Sequence, residues 1–333
     1  MRRRHVLVTG GAGFIGSNIV AELTADATLD VAVCDRLRDA SLGKWRNLAK
    51  HPIADFVLPE DLQRWLATRG ADIEAVIHMG AISSTTEPDA DKIIATNFAL
   101  SRDLYDWCAH NARRFIWASS AATYGDGTAG FDDDPASPAL AALRPLNAYG
   151  WSKSLFDQYA AREAGRGRAP AQHAGLKFFN VYGPNEGHKG AMRSVVAKIW
   201  PDVVAGRPVK LFKSYRDGIA DGAQQRDFIY VRDVAQVVAW LFHRGDVNGL
   251  FNLGSGQARS FLDLANAVFH ASGRAPRIEY VDMPPELGAQ YQYLTQARME
   301  RLRAAGYDAP FASLEDGVAD YVNGSLATAD PYR

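Results

Sequence analysis

The chain has 333 residues, with 37 basic against 38 acidic side chains and a net charge of −1. That length allows a sizeable core in one large or two closely joined domains. The balanced charge argues against a nucleic-acid surface or a polybasic membrane anchor. Two cysteines, Cys34 and Cys108, are too few for a disulfide framework and lack zinc-site spacing. Buried thiols in a reducing compartment, and no metal, are expected. Met1-Arg2-Arg3-Arg4 lacks the apolar stretch of a signal segment, and no run reaches the roughly 20 apolar residues of a membrane span. A soluble, cytoplasmic protein is expected.

Val6-Leu7-Val8 reads as a buried parallel strand. Gly10-Gly11-Ala12-Gly13-Phe14-Ile15-Gly16 follows, then a helical pattern through Leu23. Small residues there let the backbone turn tightly and approach a pyrophosphate seated on the N–H groups of a helix start. A second strand, Val31 to Cys34, ends at Asp35. An acidic residue about 20 residues past such a loop suits an adenosine ribose. The sequence therefore predicts dinucleotide binding. Asp35 favours NAD, because it accepts from the ribose 2′-hydroxyl. Arg36, Arg38 and Lys44 supply cations for the extra phosphate of NADP. NADP is the expectation, with NAD left open.

Ile53–Val57, Asp61–Arg69 and Val76–His78 read as strand, helix and strand, His78 being a satisfied strand-end histidine. Gly80-Ala81 can pass close beneath a cofactor. Ser83–Glu87 is a polar loop at the carboxyl edge, where open α/β sheets bind ligands. Asp91–His110 reads as one long helix interrupted by Asn97, for which cofactor contact and a structural role are both open. Phe115–Ala118 is a fifth strand ending in Ser119-Ser120, open towards a nicotinamide. Phe131–Pro145 reads as a surface excursion.

Asn147 is the candidate N-cap of a helix carrying Tyr149 and Lys153. Four residues apart, these two share one helix face. A nearby ammonium favours phenolate, so the pair predicts a Tyr149 pKa below the usual value of about 10. A phenol so tuned moves protons at working pH. Gly175–Phe179 is a sixth strand, followed by Asn180-Val181-Tyr182-Gly183-Pro184. The later elements are shorter: a helix from Met192 to Trp200, a strand at Lys210–Phe212, and a Ser214–Gln225 loop long enough to be a lid or mobile. Strand and helix follow at Arg226–Val234, a strand at Leu250–Gly254, a helix capped by Ser260, and two terminal helices near Ala297–Ala305 and Ser313–Asn323.

The pattern calls for an α/β fold: a doubly wound parallel (Rossmann) sheet with a second, smaller α/β substrate lobe. Residues 1–180 are expected to form the dinucleotide domain, with 227–256 returning to it. Residues 181–226 and 257–333 would form the substrate lobe, with a ligand cleft between the two.

The glycine loop, Ser120, and Tyr149 with Lys153 together resemble the extended short-chain dehydrogenase/reductase superfamily. Asn180–Pro184 and Arg226–Val231 resemble its nucleotide-sugar branch. Ser83–Glu87, Ala118–Gly125, Phe179–Gly190, Tyr291-Gln292 with Thr295–Ala297, and Leu302–Tyr307 are similar to the ADP-glyceromanno-heptose 6-epimerase family, over nearly the whole chain. The resemblance implies bound NADP, a nucleotide-sugar substrate (ADP-D-glycero-D-manno-heptose), inversion at heptose carbon 6 for lipopolysaccharide core precursors, and a homo-oligomer, a pentamer being described in the family. It places Gly10, Gly13, Phe14, Ile15, Gly16, Asp35, Arg36, Lys44, Met79, Gly80, Ala81, Ile82, Ser83, Asn97, Lys153, Val181 and Lys189 at cofactor positions. Asn180, Ala191, Lys198, Phe212, Lys213, Ser214, Tyr215, Arg226 and Tyr291 fall at substrate positions. Arg226 suits a pyrophosphate. The chain departs from the family pattern at Ala191 (serine expected), Lys198 (histidine) and Pro59 (lysine), and in longer loops at Leu37–Trp45 and Ser214–Gln225.

The carbon to be inverted carries no acidic hydrogen, so transient oxidation to a ketone, turnover and hydride return are implied. The family uses two proton-handling groups, Tyr149 (supported by Lys153) and Lys189 matching their positions, with Ser120 beside the tyrosine. A lysine with its usual pKa of about 10.4 is too basic for this role, so burial or a neighbouring cation must lower it. A UDP-sugar 4-epimerase is the second reading, though the His188-Lys189 loop is not expected there. A 4,6-dehydratase fits less well, because Ala121-Ala122 stand where an Asp-Glu pair belongs. A non-catalytic dinucleotide sensor would commonly lack the tyrosine or the lysine.

Overall fold

The computed structural model describes residues 3–284 and 292–333. Each apolar run near the N-terminus becomes a parallel strand buried on both faces, as a doubly wound sheet requires. The strands are β1 (Arg4–Thr9), β2 (Leu29–Cys34), β3 (Asp55–Val57), β4 (Ile73–His78), β5 (Arg114–Ser120) and β6 (Gln172–Phe178). Later in the chain come β7 (Asn180–Tyr182), β8 (Val209–Phe212), β9 (Gln225–Tyr230), β10 (Gly249–Leu253), β11 (Ala258–Ser260) and β12 (Ile278–Val281). A seven-stranded sheet has the order β10-β6-β5-β4-β1-β2-β3, every pair parallel. The order reverses between β1 and β4, the switch point at which such sheets bind ligands.

The helices are α1 (Phe14–Thr24), α2 (Leu62–Arg69), α3 (Ala90–Ile93), α4 (Leu100–His110), α5 (Ser137–Ala142), α6 (Ala148–Gly165), α7 (Val195–Val204), α8 (Val231–His243), α9 (Phe261–Ala271), α10 (Glu300–Ala304) and α11 (Leu314–Tyr321). On one sheet face Val6, Val8, Ile19, Leu23, Val31 and Ile77 pack with α8. Four valines occupy α8, each costing up to about 0.7 kcal/mol of helix propensity. Val231, Val234, Val237, Val238 and Leu241 are fully buried, and each gains roughly 1.5–3 kcal/mol from burial, so packing decides the helix. On the opposite face Tyr105, Phe115, Trp117 and Phe156 form an aromatic cluster beneath α4 and α6.

The smaller lobe holds two short sheets, β11-β9-β7 and β12-β8. Its core is drawn from α7, α9 and α11 around Val196, Leu264, Val268 and Val318. Asp227 locks this lobe to the large sheet. Its buried carboxylate accepts hydrogen bonds from Ser255 N (2.6 Å), Ser255 Oγ (2.8 Å), Gly256 N (3.0 Å) and Ala297 N (2.9 Å).

Two sequence expectations are corrected. The Asp91–His110 helix is interrupted by a π-helical stretch, Ile94–Ala99, which turns Asn97 inward. The 131–145 segment is not a simple surface excursion: Leu140 is buried, and buried Asp133 accepts from Asn252 N at 2.7 Å. The 214–225 loop carries internal hydrogen bonds. Ser214 N donates to Asp221 Oδ1 (2.7 Å), Gly222 N to the Phe212 carbonyl (3.0 Å) and Gln224 Nε2 to the Lys213 carbonyl (3.0 Å). Both cysteines are buried and free. Among the described residues no helix is long and apolar enough to cross a membrane, and no cluster of side chains could hold a metal.

Candidate active site

The glycine loop forms because its backbone leaves no room for side chains. Gly10 has φ +67°, and a Cβ on it would lie 2.6 Å from Gly80 N. A Cβ on Gly16 would lie 2.1 Å from the Gly10 carbonyl oxygen. No side chain caps α1, so its first N–H groups are left to an anion in the cleft above. That cleft is lined by Gly10, Gly13, Phe14, Ile15, Gly16, Met79, Gly80, Ala81 and Ser83 from the switch point, and by Tyr149, Lys153, His188 and Lys189. This cradle, which a Cβ would fill, fits a dinucleotide pyrophosphate.

An adjoining hollow extends past Asp35, Arg36, Arg38, Lys44, Pro59, Ile82 and His188. Asp35 is already well satisfied. Its carboxylate accepts from Ala12 N (2.9 Å), Arg36 N (2.7 Å) and Lys44 Nζ (2.6 Å). Arg36 turns to Glu60 at 2.9 Å. Asn97 holds the neighbouring loop: it accepts from Ile82 N (2.8 Å) and donates to the Ile82 carbonyl (3.0 Å) and Ser152 Oγ (3.1 Å). Its amide is therefore engaged within the protein and positions Ile82. His78 is buried between Thr9 and Ser101, and burial holds its pKa near 3, so it is a neutral, satisfied histidine.

Asn147 caps α6, accepting from Gly150 N at 2.8 Å, and starts the helix so that Tyr149 enters the cleft. The Tyr149 phenol hydrogen-bonds Ser120, whose Oγ also accepts from Ala122 N at 3.1 Å. Lys153, on the same helix face, is buried and donates to the Ala118 carbonyl at 2.9 Å. Burial lowers the Lys153 pKa to about 8. The lowered phenol expected from the Tyr149–Lys153 spacing is not what the structure shows. Burial raises the Tyr149 pKa above its usual value, and the Ser120 bond only partly offsets it. Desolvation of the anion is the largest influence on the phenol, and the Asp157 charge adds to it.

Lys189 lies in a 3₁₀ turn, Gly187–Met192. Buried Glu186 anchors this turn to Ser194, whose Oγ donates at 2.6 Å, and to Tyr321 OH at 3.0 Å. Lys189 Nζ stands 5.1 Å from the Phe14 ring centroid. Burial and the Lys198 charge lower its pKa, against the opposing pull of Glu186. The expected depression of this lysine is therefore present. Tyr149 and Lys189, on separate elements, line the same cleft.

The remaining expected residues stand further off. Val181 is half-buried in the seam between the two cores, and Asn180 is exposed on β7. Ala191 is exposed in the Lys189 turn. Lys198, on α7, is near enough to feel Glu186. Lys213 and Tyr215 OH bind Asp282 at 3.1 and 2.9 Å, beside Phe212 and Ser214. Arg226 donates to the Gln225 carbonyl at 2.8 Å and lies over the Phe261 ring, 5.5 Å from its centroid. Tyr291 lies outside the described residues.

Two groups escaped the sequence reading. Asn47 is buried and donates to the Ala12 (2.9 Å) and Asn185 (3.1 Å) carbonyls, joining the glycine loop to the Lys189 turn. Beneath the Ser120 turn, Lys177 and Asp157 form a fully buried ion pair at 2.7 Å. Asp157 also accepts from Ser119 Oγ (2.6 Å) and Trp117 Nε1 (3.1 Å), and Lys177 donates to Thr123 Oγ1 (2.7 Å). No local spacing signals either group.

A switch-point glycine cradle beside a tyrosine–lysine helix is the arrangement of a nucleotide-dependent epimerase or dehydratase. Residues 6–254 match the NAD dependent epimerase/dehydratase family, and the chain belongs to it. Within that family it falls with the ADP-L-glycero-D-manno-heptose-6-epimerases. It is 48% identical over 328 residues to the protein of that name from Nitratidesulfovibrio vulgaris (strain DP4), covering 98% of this chain and 99% of the relative. It is 43% identical over 335 residues to that from Fusobacterium nucleatum, with the same coverage. The crystal structure of the Helicobacter pylori ADP-L-glycero-D-manno-heptose-6-epimerase superposes with a TM-score of 0.79 at 28% identity, covering 97% of this chain and 96% of that one.

Proposed function

We propose that the protein inverts carbon 6 of ADP-D-glycero-D-manno-heptose to give the L-glycero epimer, for lipopolysaccharide core precursors, with bound NADP. The observation that carries this reading is the meeting of Tyr149 and Lys189 in one cleft over the glycine cradle. A bound nicotinamide dinucleotide would supply a hydride acceptor that later gives the hydride back. The chain's own residues handle the proton. Removing hydride from carbon 6 requires the hydroxyl proton to leave to a base, and returning hydride to the other face of the ketone requires a proton for the new alkoxide.

The two environments suit opposite halves of this cycle. Tyr149, with its pKa raised, holds its proton and serves as the acid. Lys189, held below the usual lysine range by burial and the Lys198 charge, is assigned the complementary half. The roles exchange in the reverse reaction. Ser120, hydrogen-bonded to the phenol, is assigned the substrate oxygen as its partner in this reading. Lys44, Arg36 and Arg38 beside Asp35 support NADP over NAD. A cytoplasmic homo-oligomer completes the reading, with residues 181–226 and 257–333 forming the lobe that holds the sugar nucleotide.

Incubation with ADP-D-glycero-D-manno-heptose, without added reductant, is expected to yield the L-glycero epimer. Denaturing the purified protein is expected to release NADP. Turnover of UDP-galactose with none of the heptose substrate would overturn the assignment.

A further inference from the structure

Asn47 and the turn that carries Lys189 place a second ring in the cleft, that of His188. Its Nδ1 lies 3.3 Å from Asn47 Nδ2. The Asn47 amide gives its two hydrogens to the nearer Ala12 and Asn185 carbonyls. The His188 ring itself bonds the Asn185 carbonyl. With Nδ1 assigned as the donor to that carbonyl, Nε2 keeps a lone pair on the opposite edge of the neutral ring. His188 lines both the pyrophosphate cleft and the hollow beside Asp35 and Lys44. That hollow is where the strand-end carboxylate meets an adenosine ribose.

We propose that His188 reads the ribose 2′ position of the dinucleotide: neutral, its Nε2 accepts from a 2′-hydroxyl, and protonated, it donates to a 2′-phosphate, the proton coming from solvent. The inference rests on the dinucleotide reading above. It answers a difficulty in that reading, since Asp35 is a poor neighbour for a phosphate and Lys44 is partly spent on it. A ring that gains a charge only when the phosphate arrives accommodates both nucleotides. Burial and the Lys44 and Lys189 charges hold His188 down to about 4, with Asp35 and the Asn185 carbonyl opposing. A phosphate dianion reverses that balance, and Arg36 and Arg38 also border the hollow.

The test uses the full chain freed of nucleotide and measures the dissociation constants of NADP and NAD at pH 6 and pH 8, for wild type and His188→Gln. The 2′-phosphate has its own pKa of about 6, but it is common to both proteins, so their difference isolates the ring. Lower pH favours the protonated ring, so preference for NADP should rise from pH 8 to pH 6. The linkage limit for one proton is about tenfold per pH unit. Wild type is expected to gain at least about threefold more NADP preference than His188→Gln over that range, the substitution lowering NADP affinity at pH 6 more than NAD affinity. Equal pH slopes in the two proteins would overturn the proposal. So would an equal loss of both nucleotides in His188→Gln, which would mark a structural role only. Failure of wild type to bind either nucleotide would overturn the dinucleotide reading itself.

Discussion

Lys189 stands with its ammonium 5.1 Å from the centre of the Phe14 ring, so the first residue of α1 supports a side chain that arrives from the Gly187–Met192 turn. The contact sets Lys189 above the glycine cradle, in the cleft that Tyr149 enters from α6. Removing a positioned acid or base typically costs about 10²–10⁴-fold in rate. Tyr149→Phe and Lys189→Met are each expected to lower epimerisation by that much while leaving nucleotide bound. Phe14→Leu removes only the ring under the ammonium and is expected to lower kcat by less. Product formation and the nucleotide content of each purified variant check all three. Full activity in Lys189→Met would remove the two-group mechanism.

Steric room makes a second prediction. Gly16→Ala places a methyl 2.1 Å from the Gly10 carbonyl oxygen, a contact neither backbone can relieve. It is expected to destabilise by about 1–3 kcal/mol and to weaken nucleotide binding. A methyl on Gly165, at the end of α6, would meet no atom within 4 Å, so Gly165→Ala is expected to stabilise by about 0.4–1 kcal/mol. Urea titrations of the two variants read the contrast directly.

The features legible in the sequence are those set by neighbours along the chain. The Gly10–Gly16 loop, the Asn147 cap and the Ser260 cap all follow from spacing. The fate of Tyr149 was not legible in this way. Its i+4 lysine is present, but burial and the Asp157 charge are tertiary facts, and they reverse the expected direction of the phenol pKa. Asn47, in a turn that reads as an ordinary basic loop, acquires its role only when residues 12 and 185 fold against it. The π-helical stretch around Asn97 is equally non-local, because its inward turn is fixed by Ile82 and Ser152.

The Asp157–Lys177 pair gives a third prediction. Both side chains are fully buried, so removing one charge strands the other. Lys177→Met is expected to cost about 3–5 kcal/mol. Asp157→Asn with Lys177→Met removes both charges; an asparagine oxygen in place of Oδ1 still accepts from Trp117 Nε1, and its NH2 in place of Oδ2 donates to Ser119 Oγ. The double variant should therefore recover most of the loss. Chemical denaturation of wild type, Lys177→Met and the double variant makes the comparison. A double variant no more stable than Lys177→Met would show that the hydrogen bonds, rather than the stranded charge, set the cost.

Lys153 makes stability depend on pH in a direction opposite to that of an ordinary salt-bridged lysine. Its folded pKa is about 8 against an unfolded value of 10.5, because burial penalises the ammonium. Between those values the unfolded chain binds more protons than the folded one, so stability rises with pH across the window. Below about pH 8 both states are charged and the full penalty of burying the ammonium applies. Above 10.5 both are neutral and the penalty is gone. The contribution is on the order of a few kcal/mol. The difference in unfolding free energy between wild type and Lys153→Met, measured from pH 7.5 to 10.5, is expected to move in favour of wild type as pH rises. A difference that stays flat over that range would mean that the Lys153 ammonium is solvated in the folded protein rather than buried on the Ala118 carbonyl.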